Sequence, residues 1–147
     1  MTLAQLQVLA REASPEAVEL ATRILEQDVV GHAWAAQVGP ALTQRDTARL
    51  LSKSEQAVAK DGRLLRVRSQ QGRPLYPVMQ FGGRHQIPGV ADVVAALRES
   101  LEPLSVASWL TAPNRDLGRR RPVDVVAAGE DIERVLLLAR RLARAAA

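Results

Sequence analysis

The sequence predicts a mainly α-helical protein with one small β-hairpin. The order is a helical N-terminus, a helix-turn-helix with a β wing, and a helical C-terminal module. Apolar residues recur at helical spacing on both sides of the chain's middle, whereas one short stretch alternates apolar and basic residues. Gly/Pro pairs at 39–40 and 88–89 divide the 147 residues into segments 1–40, 41–86 and 87–147.

The N-terminal segment is predicted to be helical. Ser14 is a suitable N-cap, with Pro15 at the first helical position. A stripe of apolar residues from Val18 to Val29 follows, and Gly31 is a plausible terminator. This stripe could pack on the rest of the chain or on a second copy of it.

The first helix of the predicted helix-turn-helix begins after Thr43. Asp46, three residues later, completes a loose capping signal. The spacing buries Ala48 and Leu51.

The second helix follows a break at residues 52–54, where Ser54 provides a second cap. Ala57 and Val58 are predicted to point inward, and Gly62 is predicted to stop the helix. Two short helices joined by a tight turn form the helix-turn-helix unit.

A β-hairpin is predicted after Gly62. Leu65 and Val67 lie on one face of the first strand, and residues 70–73 form the turn. The return strand, residues 75–81, contains a proline and is therefore predicted to be an edge strand.

Positive charge is concentrated in the middle segment. Residues 41–86 hold 9 Lys+Arg against 3 acids, a net charge of +6. Residues 1–40 carry 2 Arg against 5 acids, and residues 87–147 carry 9 Arg against 8 acids. A local excess of this size favours a phosphate-bearing partner, although a solvated basic face is the plainer interpretation.

DNA is the phosphate-bearing partner that the predicted motif favours. The candidate DNA-binding residues are Lys53, Ser54, Gln56, Lys60, Arg66, Arg68 and Arg73. In a helix-turn-helix the start of the second helix reaches base edges, so Gln56 and Ser54 could read bases. The lysines and the arginines of the wing suit phosphates. A homodimer is expected, because paired half-sites match a two-fold operator.

The C-terminal segment is predicted to contain four helices. The first runs from about Gly89 to Glu102, where Pro103 ends it, and Ser105 caps the second. After a loop, a short helix spans Pro122 to Gly129. The last helix carries an apolar stripe that consists of Ile132, Val135, Leu136, Ala139 and Leu142.

The composition argues against several classes of function. The chain has no cysteine and only His32 and His85 as histidines, so no metal site and no catalytic residue is predicted. No cofactor is expected, and an enzyme is the least favoured interpretation. The sequence offers no secretion signal or membrane span, and the expected location is the cytoplasm.

A motif in the C-terminal segment adds a family resemblance. Trp109 precedes Pro113-Asn114 and Leu117, and Pro122 and Gly129 follow. This pattern resembles the toxin-binding domain of Xre/MbcA/ParS-like antitoxins. Residues 62–65, 76–77 and 80–81 also resemble the DNA-binding half of some proteins that carry this domain.

The resemblance implies a type II antitoxin that neutralises a toxin and represses its own operon. The partner of such antitoxins is commonly a RES-domain toxin that degrades NAD. The candidate toxin-binding residues are Trp109, Asn114, Arg119, Arg120, Arg121, Arg140, Arg141 and Arg144.

Plainer interpretations of these residues remain open. Asn114 is typical of a turn and cap, and Trp109 of a core. The arginines near the C-terminus would complement the dipole of the last helix. The alternative function is a stand-alone DNA-binding transcription regulator whose C-terminal module only dimerises.

Overall fold

The computed structural model describes residues 2–28 and 39–147, and helices predominate in them. The eight α-helices within these two ranges are α1 (Leu3–Glu12), α2 (Pro15–Asp28), α3 (Gln44–Leu51), α4 (Glu55–Lys60), α5 (Val90–Leu97), α6 (Pro103–Thr111), α7 (Pro122–Ala127) and α8 (Ile132–Ala146). Its strands are β1 (Ala41–Thr43), β2 (Val67–Arg68), β3 (Pro74–Pro77), β4 (Phe81–Gly82) and β5 (His85–Gln86). The predicted fold class, mainly α with a small β element, is confirmed.

Side-chain caps begin both N-terminal helices. The Thr2 hydroxyl accepts a hydrogen bond from the Gln5 amide at 3.2 Å, and the Gln5 side chain accepts one from the Thr2 amide. Ser14 Oγ accepts from the Ala17 amide at 3.2 Å, as the sequence predicts. The predicted terminator, Gly31, lies outside the described residues.

The three-stranded sheet is the middle layer of the fold. Its strands are antiparallel in the order β1-β3-β2. Alternation along β1 and β3 sends side chains to two separate clusters. Leu75 joins a cluster with the C-terminal helices, and Tyr76 joins a cluster with α3 and α4. The central strand, β3, is therefore covered on both faces.

The predicted edge position of the proline-containing strand is wrong, because β3 lies at the centre of the sheet. The Val78 amide donates to the Pro40 carbonyl and the Ser69 amide to the Arg73 carbonyl, both at 2.9 Å. Since successive residues turn their amides to opposite neighbours, the Pro77 nitrogen points toward the β2 side and the Pro74 nitrogen toward the β1 side. Strand β1 ends at Thr43, which pairs with Leu75, so it does not reach Pro74. Strand β2 begins at Val67, which also pairs with Leu75, so it does not reach Pro77.

Helices α3 and α4 form a pair joined by a three-residue connection. Ser52 adopts a left-handed conformation (φ 54°), and Ser54 caps α4 by accepting from the Ala57 amide at 3.1 Å. Val58 is buried, but Ala57 is exposed, contrary to prediction. Only one side of a six-residue helix can face the core, so Val58 occupies it alone.

Two other expectations for the pair are corrected. Leu51 is only half-buried, whereas Thr47 is fully buried and donates its hydroxyl to the Thr43 carbonyl at 2.8 Å. The polar Thr47 fits because this local bond satisfies its hydroxyl. Helix α4 ends at Lys60, and Asp61 rather than Gly62 is its C-cap.

The C-terminal helices form a valine-rich bundle with two differences from prediction. Helix α5 ends at Leu97, five residues before the predicted end at Glu102. The chain turns there, and the Ser100 and Leu101 amides both donate to the Leu97 carbonyl. Ser105 lies inside α6, which begins at Pro103, since proline needs no amide partner in a first turn.

Candidate nucleic-acid interface and helical partner face

The four predicted DNA-contacting residues of the helix pair are all exposed: Lys53, Ser54, Gln56 and Lys60. Ser54 is engaged as the cap of α4. Gln56 and Lys60 make no side-chain hydrogen bond within the described residues. Their amide and ammonium groups are therefore free to meet a partner.

Lys53 is tied to the opposite end of α4. Its Nζ lies 3.6 Å from Asp61 Oδ2. Burial alone would raise the pKa of Asp61, but hydrogen bonds from the amide and side chain of Arg63, together with the Lys53 charge, lower it. Asp61 is thus a carboxylate at neutral pH that fixes the connection around α4.

The wing is formed by β2, the start of β3 and the turn between them, and it presents basic side chains to solvent. Arg66 and Arg68 are exposed, whereas Leu65 and Val67, which alternate with them, are buried. Arg66 Nη1 donates to the Ala59 carbonyl at 3.4 Å, which links the wing to α4. Arg68 Nη1 donates to the Gly72 carbonyl at 2.9 Å. Each bond uses one of five guanidinium donors, so both arginines can still bind phosphate.

A buried glutamine, which sequence reasoning missed, holds the base of the wing. Gln80 is fully buried; its Oε1 accepts from the Leu65 amide and its Nε2 donates to the Leu65 carbonyl, both at 2.8 Å. Continuing the register of β2 and β3 places Leu65 opposite Pro77, which has no amide proton to donate. The Gln80 side chain therefore supplies the donor that a strand would provide there. The available signal was a polar residue between the apolar Met79 and Phe81.

The loop after α6 is closed by its own hydrogen bonds. Asn114 Oδ1 accepts from the Asp116 amide at 2.9 Å, and the Asn114 amide donates to the Arg120 carbonyl at 3.0 Å. The interpretation of Asn114 as a turn and cap residue is confirmed. Trp109 is half-buried and packs against the larger core cluster.

Two of the candidate toxin-binding arginines pair with carboxylates inside the chain. Arg121 Nε and Nη2 donate to Asp124 at 2.7 and 2.8 Å. This hydrogen-bonded pair lowers the pKa of Asp124 and raises that of Arg121. Arg120 forms an ion pair with Glu130. Both pairs hold α7 and its flanking loops.

The other arginines of this set face solvent. Arg119, Arg140 and Arg141 are exposed, and none of them has a carboxylate partner within the described part of the chain. Arg144 Nε donates to the Arg140 carbonyl at 3.4 Å. We refer to Arg119, Arg140 and Arg141 as the solvent-facing arginines.

Two further properties concern the described residues as a whole. No three of their His, Asp or Glu side chains form a cluster that could hold a metal ion. None of their helices combines the length and the apolar character that crossing a membrane would require.

The elements define a mainly helical fold in which a short antiparallel sheet lies between a helix pair and a helical bundle. The NMR structure of Rv2175c is similar, with a TM-score of 0.60, 22% identity, and coverage of 71% of this chain and 81% of that one. This similarity establishes a shared fold.

A second similar chain occurs in the crystal structure of the M. tuberculosis MbcT-MbcA toxin-antitoxin complex. The identity is 27%, over 76% of this chain and 88% of that one. The TM-score of 0.37 is too low to indicate a common architecture. No family model and no curated protein matches the chain.

Proposed function

We propose that this protein is a cytoplasmic type II antitoxin that represses its own operon. Residues 41–86 would bind operator DNA as a homodimer, and residues 87–147 would bind the toxin. The observation that carries the proposal is the contact between α4 and the wing, where Arg66 Nη1 donates to the Ala59 carbonyl next to the exposed Lys60. A helix in the major groove with a basic wing on the backbone is a familiar way to bind DNA.

Salt dependence tests the DNA interface. Replacing Arg66 and Arg68 by alanine should weaken binding and reduce the slope of log K against log salt by about 2, because each phosphate contact contributes about 1. The matched control is the double alanine variant of Arg140 and Arg141, which changes net charge equally in the other unit. Equal slopes for the two variants would refute the role of the wing.

Sequence selection is assigned to Gln56. Gln56→Ala should weaken binding to the operator by about 1–3 kcal/mol while sparing random DNA, since a bidentate amide discriminates adenine from other bases. Electrophoretic retardation with both duplexes measures the difference. The same loss on both would refute a base-reading role.

The toxin-binding part of the proposal rests on the motif resemblance and the solvent-facing arginines. The helical bundle supplies a rigid support for Arg140 and Arg141 on α8, and the closed loop after α6 presents Arg119. By the same resemblance, the toxin is proposed to be a RES-type enzyme that degrades NAD. An anionic region of that enzyme would be complementary to these cations.

Purification from the native host tests the toxin partner. A high-salt wash removes nucleic acid, and mass spectrometry then identifies the retained proteins. A stoichiometric enzyme encoded by the adjacent gene, whose expression depletes NAD unless this chain is co-expressed, would support the antitoxin role. Recovery of this chain alone, while it still retards promoter DNA, would favour a stand-alone repressor.

Glutamate substitution of Arg140 and Arg141 probes the proposed contact directly. Charge reversal should weaken the complex at least about tenfold, because like charges would meet across the interface. The alanine variant of Arg66 and Arg68 should retain full toxin affinity. Unchanged binding after charge reversal would remove these arginines from the interface.

A further inference from the structure

A cleft of about 620 Å³ separates the end of α4 and strand β2 from the helical bundle. Apolar side chains line its interior, among them Val58, Leu64, Val94 and Val106, and Leu104 is partly exposed beside them. The volume is in the range of pockets that hold small organic molecules.

One buried polar group in the wall has no partner. Tyr76 lines the cleft and is only 1% exposed, yet its hydroxyl makes no hydrogen bond with any residue that the structure describes. Buried hydroxyls are nearly always paired, because an unpaired one loses its bonds to water without compensation. The wall of the cleft thus holds a buried hydroxyl that has no partner among the described residues.

The charged side chains of the cleft are mainly basic. The cations that line it are Lys60, Arg66, Arg68 and Arg98. The carboxylates are Asp61 and Glu102, and Asp61 is already paired with Arg63 and Lys53 from outside the cleft. The remaining positive electrostatic potential in the cleft attracts an anion.

Arg98 is an exposed side chain that joins the two sides of the cleft. Its Nη1 donates to the Gly62 carbonyl at 2.5 Å, which joins α5 to the loop after α4. The other guanidinium donors have no acceptor among the described residues, so they can bind a carboxylate.

We propose that this cleft binds a small aromatic carboxylate. The ring would lie on the apolar interior, Arg98 would bind the carboxylate, and the Tyr76 hydroxyl would pair with a polar atom of the ligand. A DNA phosphate does not fit these features, because it offers no apolar body for the interior. Lys60, Arg66 and Arg68 belong both to the cleft and to the proposed DNA interface. A bound carboxylate would therefore weaken DNA binding. This consequence rests on the proposed function, whereas binding of the carboxylate itself does not.

The single tyrosine of the chain provides a specific probe. Incorporation of 3-fluorotyrosine places one fluorine label at Tyr76, and 2-naphthoate is then titrated while the fluorine NMR spectrum is recorded. A saturable shift is expected with 2-naphthoate, but not with neutral 2-naphthamide or with acetate. No shift with 2-naphthoate, or an equal shift with 2-naphthamide, would overturn the proposal.

Two variants assign the contacts by calorimetry with 2-naphthoate. Arg98→Ala should weaken binding about tenfold or more, with Arg84→Ala, an exposed arginine outside the cleft, as control. Tyr76→Phe should raise Tm by roughly 2–4 °C and weaken binding severalfold, because it removes an unpaired hydroxyl that the ligand would use. Unchanged affinity in both variants would refute the site.

A DNA-binding measurement in the presence of 2-naphthoate separates this inference from the proposed function. Binding of 2-naphthoate to a protein that fails to bind any DNA would support the site and refute only the DNA-binding role. Release of bound DNA by 2-naphthoate, but not by 2-naphthamide, would support both.

Discussion

The sheet-containing unit, residues 41–86, and the helical unit, residues 87–147, use their arginines differently. In the first, Arg66 and Arg68 donate only to backbone carbonyls and remain exposed. In the second, Arg120 and Arg121 pair with nearby carboxylates. The net charges of +6 and +1 follow from the number of carboxylates, 3 in the first unit and 8 in the second, because each unit has 9 basic residues.

The two units also differ in what holds them together. The wing depends on a buried amide, Gln80, that bonds to the backbone of Leu65. The helical unit depends on close packing of apolar side chains such as Val90, Val93 and Leu97, all fully buried. We call the hydrogen-bonded contact between Gln80 and Leu65 the polar joint. Such a contact is sensitive to the loss of one hydrogen-bonding group, whereas an apolar core is sensitive to added side-chain volume.

The largest effect is expected at the polar joint. Gln80→Ala should lower the free energy of unfolding by about 2–4 kcal/mol, because the buried amide and carbonyl of Leu65 lose their partner. Urea unfolding measures the loss, and Gln71→Ala in the exposed turn is the control. A loss below about 1 kcal/mol would mean that Leu65 finds another partner and that the proposed difference between the units is wrong.

A smaller effect is expected where the helical unit begins. Gly89 has φ +93°, and an added Cβ would lie 3.1 Å from Val126 Cγ1 and 3.3 Å from Ile132 Cγ2. Gly89→Ala should cost about 2–3 kcal/mol, the sum of backbone strain and overpacking. The matched control is Gly129→Ala, with φ +69° and nothing within 4 Å, which should cost about 1 kcal/mol. If the two alanine variants lose the same free energy of unfolding, the side chains around Gly89 can move to accept the added methyl group without cost.

The smallest effect is expected at the internal ion pair. Arg121→Met should cost about 1 kcal/mol or less at neutral pH, since the Asp124 side chain is 41% exposed and water screens the pair. The pKa of Asp124 lies below its ordinary 3.8, so the contribution is complete above that value and is lost as pH falls through the lowered pKa. Unfolding from pH 7 down to acid pH tests this, with exposed Arg119→Met as control. If the Arg121→Met variant is still less stable than the unmodified protein in acid, the loss in free energy of unfolding comes from packing and not from the ion pair.

The sequence predicted most helix starts and the alternation within β2. These features depend on neighbouring residues: Ser14, Thr43 and Ser54 each bond to an amide three residues later. The exposure of the basic residues was predictable for the same reason, because Arg66 and Arg68 must lie opposite the buried Leu65 and Val67. Among the candidate residues, the sequence could not separate the arginines that pair internally from those that face solvent.

The tertiary structure decided the features that depend on residues far apart in the chain. The central position of β3 required β1 to pair from about 35 residues away, which no local pattern encodes. The contact between Gln80 and Leu65, and the cleft between α4 and the bundle, likewise join distant segments. Caps and alternation follow from bonds between near neighbours, so the sequence determines them by itself; strand order and cavities follow from how whole elements pack, which only the folded chain defines.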